Sequence, residues 1–405
     1  MPEDDARRGY SPTQRRDVTL LASFRGASFL GDGVAMIALY LRVAAHGQAW
    51  AVAGLGLAAL VPFAALAPVA GLVVDRVRAR PLLVGLGLAE ALTSVALGRF
   101  HGLLATLGLV VALNAFVAFS MPGYSALLPA IAGEDHVAAA QGVFQAVQGL
   151  ASIAGPVLGG LLVGLSGQSL PLYLDALSFL LGSLGTLLLR AERRPSGAHH
   201  GDTRASAGLR HILADPILRE LNVLVVAFML AIGVINVAEV FFVTRTLHGS
   251  ALAYGLLGAS FGAGTVVGSL LGGRAARDDR AGARRAVVAV MVVGLSITAV
   301  GATSTVGQIY PLMLVAGTAV GVANVTAMTL FTVRSPEHLR GRVFAALIAL
   351  NELAQVGATI AGGAILSVIA PRTVYWWGGG TASVVALVVG GALLRPGRLA
   401  EPARD

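Results

Sequence analysis

Cysteine is absent from the 405 residues, and so is lysine; all 29 basic residues are arginine. The first absence removes disulfide frameworks, thiolate metal sites, iron–sulfur clusters and cysteine nucleophiles. The second removes the phosphate-gripping lysine of P-loops, the ATP lysine of kinases and all Schiff-base chemistry, so work by this chain points to an ion gradient rather than to ATP. Charge is scarce as well, at 12% of residues, about half the share in an ordinary soluble domain. Too few charges remain to clothe water-facing domains, which argues against a soluble enzyme.

In their place stand hydrophobic residues, 56% of the chain, and 52 glycines. Runs of the length that crosses a bilayer as helix, about 20 residues, recur from end to end. Twelve are counted, near 18–41, 51–74, 82–97, 103–128, 138–165, 170–189, 221–243, 252–271, 286–303, 309–333, 343–369 and 374–394. The expected fold class is therefore an all-α integral membrane protein of twelve transmembrane helices. The expected division is a tail over 1–17, a six-helix bundle over 18–190, a linker over 191–219, a second six-helix bundle over 220–394 and a tail over 395–405.

Under this division 24 arginines fall on one side of the membrane and four (Arg42, Arg99, Arg245, Arg372) on the other, with Arg25 inside the first span. The positive-inside rule puts the rich side, with both termini, in the cytoplasm. A net charge of +8 confined to short loops on one face is a topology signal, and no nucleic-acid partner is expected. The N-terminal tail lacks the pattern of a cleaved signal, so the first span is expected to stay attached.

A shift of 203 residues aligns Arg16 with Arg219, Asp17 with Glu220, Arg42 with Arg245, Asp75 with Asp278, Glu134 with Glu337, and Gly159 and Gly160 with Gly362 and Gly363. Six spans separate the copies, so both halves share one orientation and are related by a pseudo-twofold axis along the membrane normal. In the linker, Leu209, Ile212, Leu213 and Ile217 recur at helical spacing beside Arg204, Arg210 and Arg219, as in a short helix on the membrane surface. The adjacent His199 and His200 read as solvated, and no metal or other cofactor is expected.

Charges inside a bilayer are costly, so each one retained is a functional candidate. These are Arg25, Asp32, Glu90, Glu239 and Glu352. Arg25 and Asp32 lie two turns apart on one face, able to bridge each other, to pair with a substrate or to form a fixed structural pair. Asp32 falls about 22 Å along its helix, near mid-bilayer. Glu352 sits beside Asn351 and one turn before Gln355. The matching fifth span carries Gln141, Gln145, Gln148 and Ser152 on one face, which suits either a watery path or hydrogen bonding between helices. Glu239 is placed near the outer end of its span, and the facing of Glu90 is open. Glycines at small-x-x-x-small spacing in spans five and eight suit close packing and, with it, rocking.

These residues resemble the major facilitator superfamily. The stretch Gly71, Asp75, Arg76 and Arg80 is similar to its loop motif, which implies a cytoplasmic latch with Asp75 against the start of span eleven, Arg340 and Arg342 as candidate partners and Asp278 in the equivalent loop. Gly142, Gly155, Pro156, Gly159 and Gly160 are similar to the antiporter motif of span five, which marks exporters. Gly31-Asp32, Asp175 to Phe179 and Leu339 to Val343 together resemble the macrolide-efflux and enterobactin-export branch. Asn114 stands about where many drug antiporters carry an arginine, so Arg25 would have to substitute for it. The resemblance implies a monomeric transporter of the bacterial cytoplasmic membrane, handling protons and a small amphiphilic compound among membrane lipids by alternating access. Export is favoured, with import of a small solute the alternative and a flux-free sensor a remoter one. No enzyme activity is expected.

Overall fold

The computed structural model describes residues 11–133, 136–190, 205–272 and 279–393. Thirteen α-helices fill them: α1 (Pro12–Ala45), α2 (Ala49–Arg76), α3 (Ala79–Arg99), α4 (Leu103–Ala132), α5 (Val137–Ser166), α6 (Ser169–Leu188), α7 (Ala205–Ala214), α8 (Pro216–Phe241), α9 (Ala251–Gly272), α10 (Asp279–Ala302), α11 (Val306–Arg334), α12 (Arg340–Leu366) and α13 (Pro371–Leu393). All but α7 are long and apolar enough to cross a membrane. Large apolar side chains such as Leu104, Leu165, Leu270 and Val388 stand exposed on the outside of these helices, which only a lipid solvent tolerates on this scale. The protein is a multi-pass membrane protein.

The described residues fall into two compact units: α1, α2 from Ala58 onward and α3–α6 in one; His46–Leu57 and α7–α13 in the other. Neighbour relations repeat between them. In the first unit α1 packs on α5 and α6, and α3 on α4 and α6; in the second α8 packs on α12 and α13, and α10 on α11 and α13. Close approach depends on glycine. A side chain at Gly33 would meet the backbone of Gly155, and one at Gly159 the backbone of Val34, so α1 and α5 touch main chain to main chain. On α9 and α11 the interlock is mutual: Gly264 and Gly268 lie against the backbone of Leu314 and Thr318, and Gly317 and Gly321 against that of Phe261 and Thr265.

Helix ends follow local chemistry. Gly133 and Gly167, with φ of 79° and 78°, close α4 and α5 in an extended positive-φ conformation essentially open only to glycine. Thr305 and Gln308 form a capping box at α11. Several helices run beyond their apolar stretches: α1 begins at Pro12, and its first turns are polar. There Asp17 is buried and accepts a hydrogen bond from the Arg190 amide at 2.9 Å, joining the two ends of the first unit.

The linker helix departs from expectation in extent and surroundings. It ends at Ala214, and Ile217 belongs to α8. Rather than resting on its apolar face alone, α7 packs on α12, with Ile212 enclosed and Gly208 against the backbone of Arg342 and Val343. Between α7 and α8, Asp215 accepts from the amides of Ile217 and Leu218 at 2.8 and 3.2 Å and pairs with Arg334 at 2.9 Å. Both partners of that pair are almost wholly buried. Breaking such a pair leaves an uncompensated charge, at about 3–5 kcal/mol, and losing the cap adds about 1 kcal/mol. Asp215→Ala is expected to lower thermal stability in detergent by that sum. Asp215→Asn keeps an acceptor for the cap and should lose only the ionic part; melting of Asp215→Asn at the wild-type temperature would show that the ion pair contributes nothing, and equal melting of the two variants that the cap contributes nothing.

Candidate functional site

The first unit holds a buried ionic cluster built from four helices. Arg25 on α1 is sandwiched by two rings, its guanidinium carbon 4.5 Å from the Phe29 centroid and 4.4 Å from that of Tyr124 on α4. A terminal nitrogen also reaches the Met121 sulfur at 3.7 Å. Cation–π stacking in a desolvated place holds a guanidinium without a carboxylate contact. Arg25 and Asp32 thus form no direct ion pair, and Asp32 has no hydrogen bond among the described residues. Its side chain is exposed within the protein's own surface, able to meet water or a solute.

Two further carboxylates lie behind it. Glu90 on α3 is buried, and its Oε1 accepts from the Ser120 hydroxyl on α4 at 2.6 Å. Asp175 on α6 is buried too, with Oδ2 accepting from Ser94 on α3 and Oδ1 without a partner. A side chain at Gly31 would come within 2.9 Å of that free oxygen, so the glycine before Asp32 is what lets α6 bring Asp175 close. Glu90 feels the charges of both Asp32 and Arg25, and Asp175 those of Asp32 and Glu90. The three carboxylates thus lie within electrostatic reach of one another, and Arg25 within reach of Asp32 and Glu90.

Beside the cluster lies a cavity of about 150 Å³ lined by Arg25, Phe29, Tyr124, Gln141, Gln145 and Gln148 among others. The glutamine stripe of α5 faces this space, whereas Ser152 bonds back to the Gly149 carbonyl of its own helix. Asn114 does likewise, donating to the Val110 carbonyl at 3.0 Å, and so contributes no charge partner. Of the antiporter motif, Gly155, Pro156 and Gly159 form the contact with α1 and Gly160 is buried, while Gly142 has open space where a side chain would go.

The loop-motif residues sit at the end of α2 and the start of α3. Gly71 faces open space, Asp75 and Arg76 end α2, and Arg80 donates to the Leu189 carbonyl at the end of α6. Arg340 donates to the carbonyls of Thr332 and Ser335, tying the start of α12 to the end of α11; Arg342 is partly exposed. Asp278, Glu134, Arg204, His199 and His200 lie outside the described residues.

In the second unit Glu352 and Gln355 are half-buried on α12, Gln355 lying over Gly233 of α8, and the Asn351 side-chain amide oxygen is enclosed without a partner among the described residues. Glu239, near the end of α8, is half-buried and lines a small cavity of the second unit. The 203-residue shift sends Arg25, Asp32, Glu90 and Asp175 to Phe228, Ile235, Val293 and Gly378. Phe228, Ile235 and Val293 are buried, and a side chain at Gly378 would meet Ile235. The duplicate positions thus carry ordinary apolar packing where the first unit carries charge. Asp175 was not among the expected intramembrane acids, although its signal was available: a lone carboxylate inside the apolar run 170–189.

A family model described as Major Facilitator Superfamily matches residues 21–244 and again 221–405. Tap, a multidrug efflux pump of Mycolicibacterium fortuitum, is 27% identical over 358 residues, which cover 82% of this chain and 84% of the pump. The enterobactin exporter EntS of Salmonella choleraesuis (strain SC-B67) is 27% identical over 301 residues, covering 71% and 70%. Among solved structures, the nucleoside transporter NupG superimposes with a TM-score of 0.74 at 13% identity, covering 94% of this chain and 99% of its own. A bacterial homologue of the human lysosomal transporter Spinster does so with a TM-score of 0.71 at 15% identity, covering 95% and 97%. The chain belongs to the Major Facilitator Superfamily and is a transporter rather than an enzyme.

Proposed function

We propose that the protein exports a small amphiphilic compound across the bacterial cytoplasmic membrane in exchange for protons, working as a monomer with both termini in the cytoplasm. The observation that carries this reading is the grouping of Asp32, Glu90 and Asp175, with Arg25 within reach of the first two. A transporter that uses a proton gradient needs a carboxylate able to change protonation away from bulk water, and Asp32 is the member that is exposed and without a hydrogen bond. Arg25, held by its two rings, biases that carboxylate without neutralising it permanently. The glutamines of α5 and the aromatic walls of the adjacent cavity offer a polar and an apolar side to one solute. Glu352, Asn351 and Gln355 are assigned to the solute path in the second unit, and the loops at Asp75 and Asp278 to the cytoplasmic latch. The relatives described as efflux pump and exporter favour outward movement.

The test is transport in inverted membrane vesicles acidified inside, with erythromycin, a catecholate siderophore and ethidium as solutes. At least one should accumulate in the vesicles and leave them when a protonophore collapses the gradient. Accumulation of the same solute in intact cells instead would establish import.

A further inference from the structure

Glu239 lies on α8 one turn before the helix changes to a π-helical segment, Phe242–Thr246. It lines a cavity of about 120 Å³ inside the second unit, together with Asn236, Leu257, Phe261, Met313 and Tyr375. Neither Glu239 nor the exposed Asn236 side chain has a hydrogen-bond partner among the described residues. Tyr375 of α13 is fully buried, its ring stacked 4.6 Å from Phe242, and its hydroxyl is unpartnered and within electrostatic reach of Glu239. The nearby arginines are engaged elsewhere. Arg245 stacks on Phe241 and donates to the Gly47 carbonyl, and Arg372 donates to the Thr303 carbonyl. The Glu239 carboxyl, the Asn236 side chain and the Tyr375 hydroxyl thus meet at one small space, and the hydroxyl is wholly buried without a partner among the described residues, a rare arrangement.

We propose that this cavity is a binding site for a primary ammonium group, with Glu239, the Asn236 side-chain oxygen and the Tyr375 hydroxyl oxygen each accepting one N–H. One carboxylate matches one positive charge, and no group of three or more metal-ligating side chains occurs among the described residues. Three oxygens suit the three donors of R–NH3+, while the remaining walls are apolar, with the Phe261 ring available to a cation and Leu257 and Met313 to a short alkyl stem. A bare sodium ion would need more oxygen ligands than such walls supply. The volume equals that of about four waters, enough for an ammonium head with a few carbons. The site lies inside one unit, so its occupancy stands apart from the proton-coupling reading.

The experiment is calorimetric titration of n-butylammonium chloride into the purified full-length protein in lipid nanodiscs, with empty nanodiscs subtracted and ionic strength fixed. Wild type should show saturable one-site binding that neither sodium nor tetramethylammonium, which lacks N–H donors, displaces. Glu239→Gln, nearly isosteric, should bind at least tenfold more weakly, and Tyr375→Phe, which keeps the stack on Phe242, severalfold more weakly. Absence of saturable binding, unchanged affinity in Glu239→Gln, or displacement by sodium or tetramethylammonium at similar concentrations each overturns the proposal. Should Glu239→Gln not yield folded protein, Tyr375→Phe decides alone, and unchanged affinity there overturns the three-acceptor site. No gradient enters the measurement, so a failed export assay and a failed titration are separately readable.

Discussion

Asp32→Asn is expected to reduce proton-driven efflux at least tenfold while leaving solute counterflow, measured without a gradient, within about twofold of wild type. The asymmetry follows from the environments of the three acids. Glu90 and Asp175 are each held by a serine hydroxyl, from Ser120 and Ser94, and are buried. Asp32 has no hydrogen bond among the described residues and is solvent-accessible. Asparagine preserves its size and polarity but fixes it in a neutral state, so the bundle keeps its shape and loses the group that changes charge. Counterflow needs only solute binding and the conformational cycle, whereas uphill export needs the proton. If gradient-driven efflux survives in Asp32→Asn, the exchangeable proton resides elsewhere, and Asp175, with its one free oxygen, becomes the carrier to test.

The largest structural effect is expected at the α9–α11 seam. Gly268→Val would push a branched side chain into the main chain of Thr318, and Gly264→Val into that of Leu314. Backbone cannot rotate away as a flexible side chain can, so the helices must separate along their whole contact. Overpacking commonly costs about 1–3 kcal/mol, and at a seam where both faces are glycine the upper end or beyond is expected, with loss of most monodisperse protein in size-exclusion chromatography. Gly108→Val on α4, where nothing lies within 4 Å, is the control and should behave as wild type. Equal yields for Gly268→Val and Gly108→Val would mean that the seam is loose enough to absorb a side chain.

Much of this was legible in the sequence, for a physical reason: a helix in hydrocarbon must be apolar over a length the bilayer sets, and twelve such stretches leave little freedom of fold. The repeat was legible because arginines, acids and glycines keep one offset. What stayed hidden depends on how helices face one another. Asp175 joins the cluster because Gly31 allows α1 and α6 to approach, a tertiary fact that no spacing along either helix announces. The sandwich of Arg25 between Phe29 and Tyr124 requires α4 to turn one face toward α1, and it replaces the ion pair that spacing alone suggested. Glu239 was legible as an acid near the outer end of its span, but that it shares a cavity with Tyr375 and Phe261 depends on how α13 and α9 face it. The extra turns of α1 went unseen because polarity marks the edge of the hydrocarbon, not the end of the helix.

The apolar substitutes for Arg25, Asp32, Glu90 and Asp175 at the duplicate positions carry one more consequence. The two halves align at one offset, yet only the first carries charged residues at these four positions. On the exchange reading, each molecule therefore has one ionic gear rather than two, and grafting the four polar residues onto 228, 235, 293 and 378 should create a second rather than repair a broken one.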